Sequence, residues 1–117
     1  MCDLKKVEEK FIEFLKSRLK EERYDLSQIK LTEKLFEQAE AIYVPFGYLS
    51  YFLVMEDEKP VVYVNFATRM GTDLIYFVDE NGYEMYDEDE EMRRKFNSRQ
   101  KNVKHFRFEK NIMKDQN

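Results

Sequence analysis

The sequence predicts an α+β domain: two N-terminal helices packed on a four- to five-stranded antiparallel sheet, with a third helix before the last strand (ααββββαβ). Apolar residues repeat every three or four positions in the N-terminal part and about every second position from Gly47 onward. The connections between the later segments are short, as in an antiparallel meander. Because 117 residues fit one domain, we assign residues 1–110 to a single domain and residues 111–117 to a frayed C-terminal tail.

The N-terminal part is predicted to form two helices. The first begins after the candidate N-cap Asp3 and carries an apolar stripe that ends near Leu19. The second begins at the candidate N-cap Thr32 and has apolar residues at helical spacing on one face. It is predicted to stop at Val44, because Pro45 excludes the α-helical backbone conformation at the residue before it.

The sheet is predicted from β-branched and aromatic segments separated by turn residues, of which Asn81-Gly82 is the strongest hairpin signal. If these two residues form the whole turn, Asp79 and Glu84 face each other and repel, unless a cation relieves the repulsion. A bulge at Gly82 pairs Asp79 with Tyr83 instead and needs no metal, so it is the favoured geometry. The predicted strands are Tyr48–Glu56, Val61–Arg69, Thr72–Asp79, Tyr83–Tyr86 and Val103–Glu109.

Composition restricts the class of protein. Charged residues make up 38% and aromatic residues 15% of the chain, which indicates a compact core inside a highly charged surface. The single cysteine, Cys2, cannot form an intramolecular disulfide, and no segment resembles a secretion signal or a membrane span. We therefore expect a cytoplasmic protein. Cys2 and His105 are the only soft metal ligands, so neither a metal nor a cofactor is predicted.

Charges are distributed unevenly along the chain. Eight acidic residues without a base lie between Asp79 and Glu91, and a basic stretch follows. A third helix, capped by Asp87, begins within the acidic stretch, and its dipole accounts for the order of charges along the helix only. The acids of the preceding hairpin and the bases of the following strand need another explanation. The predicted acidic patch comprises Asp79, Glu80, Glu84, Asp87, Glu88, Asp89, Glu90 and Glu91, and the secondary basic patch comprises Arg93, Arg94, Arg99, Lys101, Lys104 and Arg107.

No catalytic motif is predicted. The chain has only three glycines, each of which fits a turn or a strand entry, so there is no glycine-rich phosphate loop. A Cys2–His105 dyad would require the N-terminus to be held against an outward-facing residue of a strand. The sequence therefore favours a protein without enzymatic activity.

The leading hypothesis is a small acidic inhibitor, immunity or adaptor protein whose acidic patch masks a basic surface of another protein, such as a nuclease or another nucleic-acid-processing enzyme. Three alternatives remain open. The tyrosines can line a pocket for a small ligand or a substrate, and the face from Arg93 to Lys110 can bind nucleic acid, although the net charge of −4 argues against that ligand. The acidic and basic patches of two copies can also associate with each other. A membrane partner is not expected.

Overall fold

The computed structural model describes residues 4–20, 22–44, 47–71, 73–85, 90–110 and 112–114, the last strand by its backbone alone. Within these ranges the predicted α+β class with an antiparallel sheet is confirmed. Two α-helices and six strands are present in the order α1 (Leu4–Arg18), β1 (Gln38–Val44), β2 (Gly47–Glu56), β3 (Lys59–Thr68), β4 (Asp73–Asp79), β5 (Gly82–Met85), α2 (Glu90–Gln100) and β6 (His105–Lys110).

The six strands form one sheet in the order β5-β4-β3-β2-β1-β6. The first five pair antiparallel with their neighbours in sequence, whereas β6 runs parallel to β1. A parallel pair needs a crossover connection, and α2 provides it by leading the chain from the β5 edge to the β6 edge. The helix therefore lies across one face of the sheet.

The opposite face carries α1 and the larger apolar cluster. Val7, Phe11, Phe14 and Leu15 of α1 are buried, and their spacing of three and four residues defines a single helical stripe. The irregular segment after the helix continues the same layer with Leu26–Gln28 and Glu33–Phe36, both short 3₁₀ turns. This layer holds most of the buried apolar side chains among the described residues. Burial of each large apolar side chain stabilises the fold by about 1.5–3 kcal/mol, so the layer contributes most of the stabilisation from burial.

A smaller aromatic cluster fills the space under α2. Phe96 of that helix is 2% exposed, and its ring centroid lies 5.4 Å from Phe52, 5.8 Å from Tyr63 and 6.4 Å from Phe77. The contacts with Phe52 and Phe77 are edge-to-face and the contact with Tyr63 is stacked, and such aromatic pairs are favourable beyond the area that they bury. One aromatic side chain therefore anchors α2 to the sheet.

The predicted second helix is wrong. Thr32 makes no side-chain cap hydrogen bond, the helical conformation lasts only from Glu33 to Phe36, and the chain then enters β1. The strand lies between β2 and β6, with apolar residues buried on both of its faces, so it lacks a strict alternation of polar and apolar residues. A buried strand of this kind, with two alanines and apolar residues at positions 39, 42 and 43, has the apolar spacing of a helix.

Two further features differ from the predicted arrangement. The sheet has six strands instead of four or five, and the last strand is parallel to its neighbour. The two α-helices lie on opposite faces of this sheet. The predicted N-caps Asp3 and Asp87 lie outside the described residues.

Residues of the predicted tail contact the core. Ile112 is fully buried, Met113 forms a bridge with Tyr24, and backbone hydrogen bonds join Asp25 to Ile112 and Lys114 to Arg23. Positions 111 and 115–117 lie outside the described residues. Among the helices that the structure describes, none has the length and hydropathy needed to cross a membrane.

Candidate functional site

The hairpin between β4 and β5 has neither of the two predicted geometries. Asp79 pairs with Gly82 and Phe77 pairs with Glu84, so the loop consists of residues 80 and 81. The carboxylate of Asp79 accepts the backbone N–H of Asn81 at 2.8 Å, which stabilises the turn from its own side chain. Asp79 and Glu84 therefore lie on the same face of the sheet but diagonally, and the direct repulsion of opposed carboxylates does not arise.

A cleft of about 370 Å³ lies between this hairpin and α2. Three carboxylates line it, those of Glu56, Asp79 and Glu84, together with the ring of Phe77 and the thioether of Met92. We call this cavity the acid-lined cleft. Glu56 is the last residue of β2 and Asp79 is the last residue of β4. The two residues lie close together because alternate strands of an antiparallel meander end at the same end of the sheet.

Lys95 of α2 forms the opposing wall. Its ammonium nitrogen lies 3.1 Å from Oε1 of Glu56 and 5.6 Å from the centroid of the Phe77 ring. Among the described residues that line the cleft, Lys95 carries the one positive charge, so carboxylates exceed ammonium groups there. The face of an aromatic ring attracts cations, and the Phe77 ring attracts the ammonium group of Lys95 in this way.

Glu56 is held in place by a buried phenol. The hydroxyl of Tyr63, a fully buried residue, donates a hydrogen bond to Oε1 of Glu56. Burial, and then the hydrogen bond and charge of Glu56, raise the pKa of Tyr63, so its hydroxyl stays protonated and continues to donate. The Glu56 carboxylate is therefore bound by Tyr63 and Lys95, whereas Asp79 and Glu84 line the hairpin side of the acid-lined cleft.

The predicted acidic patch is only partly brought together. Glu80 is not among the residues that line the cleft and pairs with Lys59 at 2.9 Å, an interaction that raises the pKa of that lysine. Glu90 and Glu91 are exposed on the first turn of α2, where Glu90 lies 3.8 Å from Arg94. Asp87, Glu88 and Asp89 lie outside the described residues.

The predicted basic residues of α2 lie on different sides of the helix. Arg93 donates to the backbone carbonyl of Asp73 at 2.8 Å, Arg94 pairs with Glu90, and Arg99 faces the hydroxyl of Tyr63. Their spacing at about 100° per residue separates them around the axis. Lys101 and Lys104, which follow the helix, are exposed. Arg107 lies on β6 and is described by its backbone alone.

The tyrosines that the structure describes do not gather around one cavity. Tyr51, Tyr63 and Tyr76 are buried in the two clusters, and the hydroxyl of Tyr51 donates to Glu40 at 2.8 Å. Cys2 lies outside the described residues, and the His105 side chain is not described. Among the described residues, no three His, Cys, Asp or Glu side chains converge closely enough to hold a metal ion.

Comparison with known proteins gives no relative: no family model matches the chain, and neither a curated protein nor a solved structure resembles it significantly. Function is therefore argued from the geometry of the cleft. The sequence identifies Asp79 and Glu84 but not the other residues that line the cleft with them, among them Glu56, Phe77, Met92 and Lys95. Glu56 had a usable signal, because the β2–β3 and β4–β5 hairpins of a meander lie at the same end of the sheet.

Proposed function

We propose that this protein is a non-enzymatic binding module whose acid-lined cleft receives an arginine side chain from a basic surface of a partner protein. The observation that carries the proposal is the excess of carboxylates over cations in a cleft that also has an aromatic wall. A guanidinium group binds carboxylates through paired hydrogen bonds and stacks on aromatic faces, so it uses both features at once.

The carboxylates at the open side have capacity for such a ligand. An ionised carboxylate offers about four lone-pair sites. Asp79 can therefore keep its hydrogen bond from Asn81 and still accept from a guanidinium group. The same capacity lets Glu84 keep its present contact. Glu56, already bound to Tyr63 and Lys95, supports the wall instead of serving as the main acceptor.

The proposed role is that of an inhibitor, immunity or adaptor protein that covers a basic surface, for example the phosphate-binding face of a nucleic-acid-processing enzyme. The exposed Glu90 and Glu91 beside the cleft then accelerate association more than they increase affinity, because charges at the rim of an interface act mainly on encounter. A cytoplasmic location is part of the proposal, since a chain with one cysteine needs no oxidising compartment.

A titration with a blocked Gly-Arg-Gly peptide tests the proposal. Backbone amide signals of the ¹⁵N-labelled protein are followed at low salt, with the peptide that carries neutral citrulline as the control ligand. We expect saturable shifts at Phe77, Asp79, Glu84 and Met92, with a Kd on the order of 1–10 mM for a single side chain. The affinity should fall as salt screens the charges, and the citrulline peptide should cause no comparable shifts.

Matched variants locate the site. Replacement of both Asp79→Asn and Glu84→Gln keeps the shape of the side chains and should weaken binding about tenfold, because each partly exposed ion pair contributes up to about 1 kcal/mol. Glu33→Gln removes an exposed carboxylate that lies outside the cleft and should leave the affinity unchanged. Equal affinities for the double variant and the wild type would remove the cleft from the mechanism.

A further inference from the structure

A second cavity, of about 230 Å³, lies at the C-terminal end of α1. It is on the α1 face of the sheet and at the other end of the strands from the acid-lined cleft, because it is bounded by Val44, the last residue of β1, and by Phe66 near the end of β3. We call it the α1 pocket. Its volume exceeds the roughly 10–15 Å³ needed for one water but is below the roughly 300–1,000 Å³ of most ligand pockets. Only a small molecule fits.

Cations surround an apolar floor in this pocket. Leu19, Val44 and Phe66 supply the floor, and the side chains of Arg18, Lys20 and Arg23 line the rest. In the part of the chain that the structure describes, none of these three cations forms an ion pair. The guanidinium of Arg18 lies over the ring of Tyr76, 5.1 Å from its centroid, and this contact leaves the positive charge of Arg18 without a neutralising carboxylate among the described residues.

The helix dipole explains these cations only in part. The negative end of α1 favours the bases near its last turn, Arg18 among them. Arg23 lies beyond the helix, and the dipole effect decreases within one turn. The dipole also does not account for an apolar cavity beside the cations. A ligand that combines negative charge with an apolar body accounts for both.

Tyr24 provides an independent indication of a ligand. The residue lines the α1 pocket, is 3% exposed, and has a buried hydroxyl without a hydrogen-bond partner among the described residues. Buried polar groups are normally hydrogen-bonded, so an orphaned hydroxyl requires an explanation. Burial raises the pKa of Tyr24, against the weaker opposing effect of Arg23, and the hydroxyl therefore remains a donor. The bridge between Tyr24 and Met113 fixes the backbone that carries it.

We infer that the α1 pocket binds a small organic anion, whose carboxylate or phosphate lies among the three cations and accepts a hydrogen bond from Tyr24. Its apolar body, about the size of a benzene ring, lies against Leu19, Val44 and Phe66. This inference concerns a different cavity from the acid-lined cleft and does not depend on the proposed protein partner. The two cavities take ligands of opposite charge.

Amide shifts of the ¹⁵N-labelled protein provide the test, with four probes at equal ionic strength: phenyl phosphate, benzoate, phenol and inorganic phosphate. We expect the two organic anions to shift the signals of Leu19, Tyr24, Val44 and Phe66 saturably, at least about tenfold more tightly than phenol or inorganic phosphate do. The tighter of the two identifies the head group. Equal binding of inorganic phosphate, or no shifts at these residues, would overturn the inference, because the first indicates simple ion attraction to a basic surface.

Two variants and a control complete the design. Arg23→Gln should weaken the organic anions about tenfold, as should Tyr24→Phe, because each removes a charge-assisted hydrogen bond. Lys30→Gln removes an exposed cation outside the pocket and should change nothing. The melting temperature of Tyr24→Phe should equal or exceed that of the wild type, since the hydroxyl has no partner to lose among the described residues. A lower melting temperature, or unchanged anion binding in this variant, would contradict the inference.

Discussion

The two faces of the sheet differ in what their helices contribute. Among the described residues, the α1 face buries twenty in one cluster, to which α1 supplies four fully buried side chains and the following irregular segment supplies several more. The α2 face buries seven, and of α2 itself only Phe96 is buried among the described residues. The α1 face is therefore the source of stability. The α2 face has a helix with one buried side chain among the described residues and a cleft in which carboxylates exceed cations, and the proposed binding role rests on that cleft.

A hydrogen bond from a buried tyrosine to a glutamate occurs on both faces, with different consequences. On each face a fully buried tyrosine donates its hydroxyl to a glutamate, Tyr51 to Glu40 and Tyr63 to Glu56. Glu40 lies on the interior strand β1, whereas Glu56 is at a strand end and opens onto the acid-lined cleft. The same hydrogen bond thus fixes the interior on one face and the wall of a candidate site on the other.

Truncation of one core phenylalanine on each face tests this division most strongly. Phe14→Ala should lower the free energy of unfolding by about 3–5 kcal/mol, because the fully buried ring contacts Tyr76 and Tyr83. Phe96→Ala should cost less, about 2–3 kcal/mol, because α2 can adjust its position, but it should abolish binding of the arginine peptide. Urea unfolding measures both values. A larger loss for Phe96→Ala would reverse the roles assigned to the two faces.

Alkaline pH gives the next largest effect. Burial raises the pKa of Tyr51 and of Tyr63 above the unfolded value of 10.0, and the partners Glu40 and Glu56 raise them further. The protonated phenols are therefore favoured in the folded state, and their contribution is complete below pH 10 and is lost as the pH rises above it. Above that pH each tyrosine should lower stability by about 1.4 kcal/mol per pH unit.

Above pH 10, the free energy of unfolding should fall less steeply with pH in Tyr51→Phe and in Tyr63→Phe than in the wild type. The difference should be about 1.4 kcal/mol per pH unit for each variant. Tyr43→Phe, which alters a half-exposed ring on β1, is the matched control. Slopes for Tyr51→Phe and Tyr63→Phe that equal the slope of the wild type would show that these phenols ionise without loss of folding.

The smallest expected effect separates the wall of the cleft from its open side. Glu56→Gln should lower the free energy of unfolding by about 1–2 kcal/mol, because it weakens the hydrogen bond from Tyr63 and the pair with Lys95. The double variant Asp79→Asn and Glu84→Gln should stay within about 0.5 kcal/mol of the wild type, since the amide oxygen introduced by Asp79→Asn can still accept the N–H of Asn81. Thermal unfolding compares the two. A large loss in the double variant would mean that these carboxylates serve the fold.

Local sequence features predicted much of the sheet because its turns carry their own signals. Asn81-Gly82 correctly separates β4 from β5, and the predicted break between Glu56 and Val61 correctly separates β2 from β3. The segment Gln38–Val44 was mispredicted because its spacing fits a helix, and only the flanking strands β2 and β6 make it extended. Tertiary pairing of that kind is not encoded locally.

The candidate site was predictable only to the extent that its residues are close in sequence. Asp79 and Glu84 stand in one hairpin and were identified together. Lys95 belongs to α2, and its place against Glu56 depends on the crossover of that helix over the sheet. The predicted acidic patch includes one residue whose charge is paired, because Glu80 forms an ion pair with Lys59 of the β2–β3 hairpin.

Intermolecular nuclear Overhauser effects between the bound Gly-Arg-Gly peptide and the protein show whether the arginine side chain enters the acid-lined cleft. We expect contacts from the arginine δ-methylene protons to the Met92 methyl group and to the ring protons of Phe77, two residues that line the cleft. Contacts to Tyr43 or to the α1 pocket instead, or saturable binding without any contact to Met92 and Phe77, would contradict the proposal.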